Sequence, residues 1–379
     1  METILQTIKK IDFLLILSPL LLGAFSVIMI NSITSGGGSY SRAVLVQALA
    51  FGLGLLAMTA AALMDPVFLY RLKWLFYALC FVLQLTVFIP GLAVDAATTG
   101  GQQAWINLGI TTMQPSELVK ITFIVFLASW LDEKRETLFT FKGFLRTAVP
   151  ALPVIALVAS IDMGAGVVHF FIFVGMVFAA GLRGRLFGQL AAAFFISTPI
   201  IYRFLADHQK SRFEAVLHPS NTELKETWQL LQSKTAIGSG GLFGKGLGNG
   251  TVKESGLVPV QESDFIFSII CEETGFVGGM AVILIYALFL FRIWRTVTQA
   301  REVSGALVCV GFLCMFGFQI FENIGMTLGI MPIAGITLPF LSAGGTSVIA
   351  NMIGVGLIIG IGVRSKAKTY KHISTETAM

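Results

Sequence analysis

The sequence predicts an all-α polytopic membrane protein, a single domain over residues 1–379 with about ten transmembrane helices. Three observations predict it. Hydrophobic residues make up 55% of the chain and charged ones only 12%, against about a quarter charged in soluble domains. The mean hydropathy is +0.82. Ten apolar segments approach the length a bilayer-crossing helix needs, at about 13–31, 43–64, 72–90, 115–131, 148–162, 165–182, 189–206, 266–291, 303–325 and 344–363.

The net charge of +5 is accounted for by topology. Of 26 Lys and Arg, 17 fall in short loops or tails on one side, among them Arg71, Lys134, Arg146, Arg183, Arg292 and Arg301. The positive-inside rule makes that side cytoplasmic, with both termini there and a tail from about 364 to 379. No basic surplus is left for nucleic acid. Cys80, Cys271, Cys309 and Cys314 fall in or near spans, and no CxxC or Cys/His ligand set appears. The first apolar run lacks a small-residue cleavage site, so it reads as a retained helix rather than a cleaved signal.

Asn31 to Arg42 is an outer linker containing Gly36, Gly37 and Gly38. Arg42, at its end, either anchors the second helix or meets an anionic headgroup. A second outer loop runs from Pro90 to Gln114, with Trp105 at the interface. The fourth span opens on Gln114-Pro115-Ser116-Glu117, where proline fits a first helical turn and Glu117 complements the helix dipole. Glu117 and Lys120 stand three residues apart and share a face just inside the membrane. Charges there mark function by default, and the pair reads either as substrate-facing or as a structural ion pair. Asp162 marks the outer turn between spans five and six. His169 reads as a hydrogen-bonded packing residue rather than a metal ligand.

Spans seven and eight are joined by a long extracellular loop, about 207–264, of the kind that is functional or disordered. Its stretch ETWQLLQSKTAI, with Trp228, Leu231 and Ile237, reads as amphipathic and lying along the membrane plane. Seven glycines between Gly238 and Gly250 imply a backbone shaped to fit something. They do not form a P-loop, because Lys245 is followed by Gly246 and no buried strand leads in. Asp264 reads as the most exposed acid, where the loop meets the eighth span. Glu322, inside the ninth, demands a partner, for which Lys120 and Arg203 are the candidates. The segment MPIAGITLPFLSAGGTS breaks the helical pattern at membrane depth, which is tolerated only where backbone is buried in protein or lines a cavity. A ligand cavity is expected there.

Asp264, Glu262, Glu117, Asp162, Lys120, Arg42 and the glycine cluster all project toward the outer face. Such a set suits a substrate with a greasy tail and an anionic head. An aspartate with no His, Ser or Cys partner argues against a Ser-His-Asp hydrolase and for general-base work on a hydroxyl. Nearby cations would stabilise a leaving phosphate.

Trp105 to Lys120, Asp162-Met163-Gly164, Gln232 to Thr251, Glu262 to Gly279 and Asn323 to Ser347 closely resemble the RodA/FtsW/SpoVE (SEDS) family of peptidoglycan glycosyltransferases. The run from Gln232 to Gly246 is most like the RodA branch. The resemblance implies polymerisation of lipid II, an undecaprenyl-pyrophosphate disaccharide-pentapeptide, at the outer face of the bacterial cytoplasmic membrane, for cell elongation and shape. It also implies a class B penicillin-binding protein as partner. It maps the family's aspartate before Phe-Ile-Phe onto Asp264 as general base. Its substrate contacts carry over to Glu117, Lys120, Arg42, Asp162, Lys245, Ser263, Gly344 and Gly345. A divalent cation, Mg2+ or Mn2+, bridging the pyrophosphate is compatible with nearby carboxylates, and no residue set identifies one. Ala104 stands where the family has arginine, Ile161 where it has proline and Ala343 where it has tyrosine. With those departures two other readings stay open, a lipid II flippase and a non-catalytic scaffold for a class B penicillin-binding protein.

Overall fold

The structure is a computed structural model and describes residues 10–34, 41–94, 104–107, 109, 111–138, 140–204, 206–218, 225–251 and 261–376. Gly36 to Gly38, Gly101 to Gln103 and the loop charges Glu223, Lys253 and Glu254 lie outside them.

Each predicted span falls on helix. The first two are α1 (Phe13–Thr34) and α2 (Arg42–Leu63). The third is α4 (Lys73–Leu85), preceded by a short helix, α3 (Pro66–Arg71), which Asp65 caps through the Val67 amide at 3.0 Å and whose first turn Pro66 fits. A short hairpin, β1 (Ile106–Asn107) with β2 (Thr112–Met113), leads into α5 (Pro115–Lys134). Next come α6 (Phe141–Ile161), α7 (Met163–Ala179) and α8 (Gly184–Phe204). The extracellular segment holds α9 (Asp207–Leu217) and α10 (Lys225–Ser239). The chain ends with α11 (Ile266–Gln299), α12 (Val303–Leu328) and α13 (Gly345–Glu376). Helices α1, α2, α6, α11, α12 and α13 each contain a stretch long and apolar enough to cross a membrane, and α4 and α7 are shorter apolar helices.

Helix α5 runs through the middle of the bundle, with 15 of its 20 residues buried. A helix apolar all round belongs in such a place, and any charge on it must be paired. Helix α13 packs along α2, where a Cβ on Gly356 would stand 2.2 Å from the Met58 carbonyl oxygen. Small residues at that seam let the two backbones close up.

The described part of the long loop carries α9 and α10. Helix α10 leaves Trp228 and Leu231 exposed. Its buried face is Thr227, Leu230, Ser233 and Ala236, packed on α11 and α12, where the Ser233 hydroxyl donates to the Thr327 carbonyl at 2.9 Å. Thr, Ser and Ala on that face are small enough to bring α10 close to the end of α12.

The glycine cluster fits the protein's own backbone. Helix α11 is broken at Gly275, whose φ is 69°. The Phe276 and Val277 amides beyond the break donate to the Gly241 and Leu242 carbonyls at 2.8 and 3.1 Å. The Glu272 and Glu273 carbonyls before it accept from the Lys245 and Gly246 amides, both at 3.0 Å. The loop thus supplies the hydrogen bonds of the missing helical turn. A Cβ on Gly244, whose φ is +78°, would stand 2.2 Å from the Glu273 carbonyl oxygen. Gly244→Ala is therefore expected to cost about 1–3 kcal/mol from backbone strain alone, lowering the unfolding temperature in detergent. Gly238→Ala, on the same loop's approach, meets nothing within 4 Å and is expected to leave it unchanged.

Candidate functional site

The site is built on the turn Gln261–Phe265 that leads into α11. Segments distant in sequence hold it. The Ala343 amide donates to the Glu262 carbonyl at 2.7 Å, and the Ser342 hydroxyl donates to that of Ser263. Asn323 on α12 donates to the Asp264 carbonyl at 2.9 Å and to that of Ile336 at 2.8 Å. Gln47 on α2 binds the Ser342 carbonyl at 3.1 Å and accepts from the Gly344 amide at 3.2 Å, and Ser26 on α1 donates to the Leu341 carbonyl at 2.6 Å. Between them Phe340 has φ 65°, an outlier for a bulky residue. Its ring lies 5.5 Å from Phe289 and 5.7 Å from Phe316, and the Tyr286 hydroxyl donates to the Pro339 carbonyl. From Ile336 to Ser342 the non-helical segment between α12 and α13 is thus largely buried in protein, with its backbone groups mostly taken up by side chains.

Asp264 itself is partly buried, not the most exposed acid; Asp207 has a fully exposed carboxyl. Its Oδ1 accepts from the Ser263 hydroxyl at 2.9 Å. Its Oδ2 faces Gly335, where a Cβ would stand 3.6 Å away. Burial pushes the Asp264 pKa above the usual carboxylate value; the Ser263 bond opposes this, Asp162 and Glu262 add to it, and Arg212 opposes it.

Asp162 ends α6 and caps α7, accepting from the Ala165 amide at 3.2 Å through Oδ1. Gln114, at the start of α5, donates to its Oδ2 at 2.9 Å. Burial raises the Asp162 pKa against the Ala165 and Gly164 amides and Arg212, and Glu117 adds to the rise. Gly164 brings this turn under the α12–α13 segment, since a Cβ there would stand 2.4 Å from the Ala334 carbonyl oxygen.

Glu117 and Lys120 form an ion pair at 2.8 Å with side chains 7% and 3% exposed. Lys120 therefore serves Glu117 and not Glu322, which corrects one candidate pairing. The other fails too: Arg203 is exposed, while both carboxyl oxygens of Glu322 are sealed from solvent with no hydrogen-bond partner. Lys245 pairs with buried Glu272 at 2.8 Å and with the Thr251 hydroxyl at 2.6 Å, so it braces the helix break. Arg42 is the exposed first residue of α2. Gly345 opens α13 against Val46 and Ala50. His169 is buried, with Nδ1 2.8 Å from the Ala165 carbonyl oxygen, as a packing residue should be.

Arg212 on α9 acts electrostatically on Asp162, Asp264 and Glu322 together. Its role is not legible in the sequence, because nothing local ties residue 212 to acids at 162 and 322. Among the described residues no group of three or more His, Cys, Asp or Glu is placed to hold a metal ion. A cavity of about 340 Å³ lies elsewhere, bordered by Asp65, Tyr70, Arg301 and Arg364 and by none of the predicted site residues.

Residues 10–367 match the FtsW–RodA–SpoVE family of cell cycle proteins. The chain belongs to that family. Within it, the stage V sporulation protein E of Bacillus subtilis is 33% identical over 371 residues, 94% of this chain and 98% of that protein. The peptidoglycan glycosyltransferase MrdB of Escherichia coli K12 is 31% identical over 317 residues, 83% of this chain and 84% of that protein. A solved chain from a peptidoglycan synthase complex, described for its coordination of polymerization and crosslinking, superposes with a TM-score of 0.78 at 28% identity, covering 94% of this chain and 98% of that one. FtsW–RodA–SpoVE membership accounts for the helical membrane fold. It also places the Asp264 turn and the Glu117–Lys120 helix in a family whose relatives include a named glycosyltransferase.

Proposed function

We propose that this chain is a peptidoglycan glycosyltransferase that polymerises lipid II at the outer face of the cytoplasmic membrane, in cell elongation and shape, beside a class B penicillin-binding protein. The observation that carries the reading is Asp264: a carboxylate of raised pKa, open on one side and anchored on the other by α1, α2, α12 and the α12–α13 segment. Asp264 takes the proton of the acceptor sugar hydroxyl as that oxygen attacks the donor anomeric carbon. The bond from that carbon to the pyrophosphate oxygen breaks, and undecaprenyl pyrophosphate leaves with the electron pair. A base of pKa near the working pH is best suited to this step.

Arg212 is the cation placed to offset charge around Asp264 and Asp162, and Asp162 and Gln114 fix the floor of the site. Glu117 and Lys120 support α5 where it meets that floor. A divalent cation, if bound, would draw most of its ligands from the substrate pyrophosphate. With the basic helix ends taken as cytoplasmic, the Asp264 turn lies outside and both termini inside. The named glycosyltransferase relative supports the reaction class, and the synthase complex supports the partner.

The test is incubation of the purified protein with a class B penicillin-binding protein and lipid II, with and without a chelator. Glycan strands are expected. Movement of labelled lipid II across liposomes with no strand formed would sink the reading in favour of a flippase.

A further inference from the structure

The far end of the bundle carries a cavity that the reaction just described does not use. Its volume is about 340 Å³, within the range of small-molecule sites. The turn from α2 into α3, the start of α12 and the end of α13 enclose it. From Gly305 in its wall to Asn323, which grips the Asp264 carbonyl, α12 rises about 27 Å, close to the thickness of a bilayer core. With the basic helix ends taken as cytoplasmic, the cavity therefore opens at the inner leaflet.

The charge in its lining is balanced. Arg301 and Arg364 supply two guanidinium groups, and Asp65 and Glu302 two carboxylates. Asp65, Arg301 and Glu302 are exposed, so a charged group arriving at the membrane surface can reach them. Arg364 is fixed by the end of α2, where it donates to the Ala62 and Leu63 carbonyls at 3.3 and 2.9 Å. Those bonds orient the guanidinium without using all of its donors.

The inner wall and the rim differ in character. The Tyr70 hydroxyl borders the cavity and has no hydrogen-bond partner. Gly305, where a Cβ would stand 3.6 Å from that hydroxyl, puts no side chain beside it. A hydroxyl left in this way is costly, and a polar group brought to the wall relieves it. At the rim, Val67 lines the cavity, and Leu63, Met64 and Phe68 beside it are exposed. An exposed apolar patch at the end of a span belongs against lipid.

We propose that this cavity binds the headgroup of an inner-leaflet phospholipid that carries both a phosphate and a primary ammonium. The phosphate meets Arg301 and Arg364, the ammonium meets Asp65 and Glu302, and the acyl chains run over Val67 and Phe68. The balanced lining selects that headgroup, because a purely anionic one would set its charge against two carboxylates and offer them no donor in return. A headgroup without chains would forgo the apolar rim. The inference stands apart from the reading of Asp264.

The test is native mass spectrometry of the purified protein with phosphatidylethanolamine, with phosphatidylglycerol, and with glycerophosphoethanolamine, which has the headgroup and no chains. Phosphatidylethanolamine is expected to stay bound when the other two have been stripped. Arg301→Glu should weaken its retention about five-fold, the scale of one partly exposed ion pair. Glu302→Lys should turn the preference toward phosphatidylglycerol. Both residues are exposed, so both variants should unfold at the wild-type temperature in detergent with no lipid added. If either unfolds early, the comparison of the two lipids on the wild type decides alone. Phosphatidylglycerol held as tightly as phosphatidylethanolamine by the wild type, or retention that neither substitution changes in a folded variant, would overturn the proposal. Glycerophosphoethanolamine held as tightly as the lipid would overturn it too, by making the ligand a soluble phosphoester.

Discussion

Asp264→Asn is expected to lower strand formation from lipid II by about 10²–10⁴-fold, the usual share of a general base. The amide has nearly the volume of the carboxyl and still accepts from the Ser263 hydroxyl. The turn keeps its backbone bonds to Ala343, Ser342 and Asn323, because all three go to carbonyl oxygens rather than to the carboxyl. What is lost is a group that can take a proton. Asp264→Glu restores a carboxyl in a slightly displaced position and should recover part of the rate. Because burial holds the Asp264 pKa above the ordinary carboxylate value, ionised base accumulates as pH rises through that higher range. Wild-type activity should therefore climb with pH above the usual carboxylate region. The residual activity of Asp264→Asn should not follow that rise. Strand length and amount on gels, read across a pH series, check both statements.

Lys120→Ala is expected to be the most destabilising single change at the site, by about 3–5 kcal/mol. It strands the Glu117 carboxylate in the middle of the bundle with its 2.8 Å partner gone. Replacing both residues together, as in Glu117→Gln with Lys120→Met, removes both charges and should cost much less than Lys120→Ala alone. Thermal unfolding in detergent for the two singles and the double gives the coupling directly. A pair with no stabilising role would show additive, small effects.

The helices were legible because each is an uninterrupted apolar run, and the bilayer sets its length. Glu117 and Lys120 were legible because three residues of helix put them on one face. Asp264 was legible from its position, at the junction of a polar loop with an apolar span. The elements of the extracellular segment were not. Helices α9 and α10 are not strongly apolar, and the surface that buries α10 belongs to α11 and α12. Gly275 breaks α11 in the middle of a run that reads as continuous, and the bonds that mend the break come from residues 241–246. The bond from Lys245 to Glu272 was not legible, because its partners stand 27 residues apart in sequence. Arg212 and Gln114 reach Asp162 only through the fold, and Glu322 was expected to have a partner that the packing does not provide.

The most direct test of Asp264 as the base separates binding from chemistry. Lipid II binding to wild type and Asp264→Asn is measured at equilibrium, and bond formation is followed in a single turnover on the same preparations. Similar affinities with bond formation nearly abolished in the variant are the predicted result. Bond formation at the wild-type rate would contradict it.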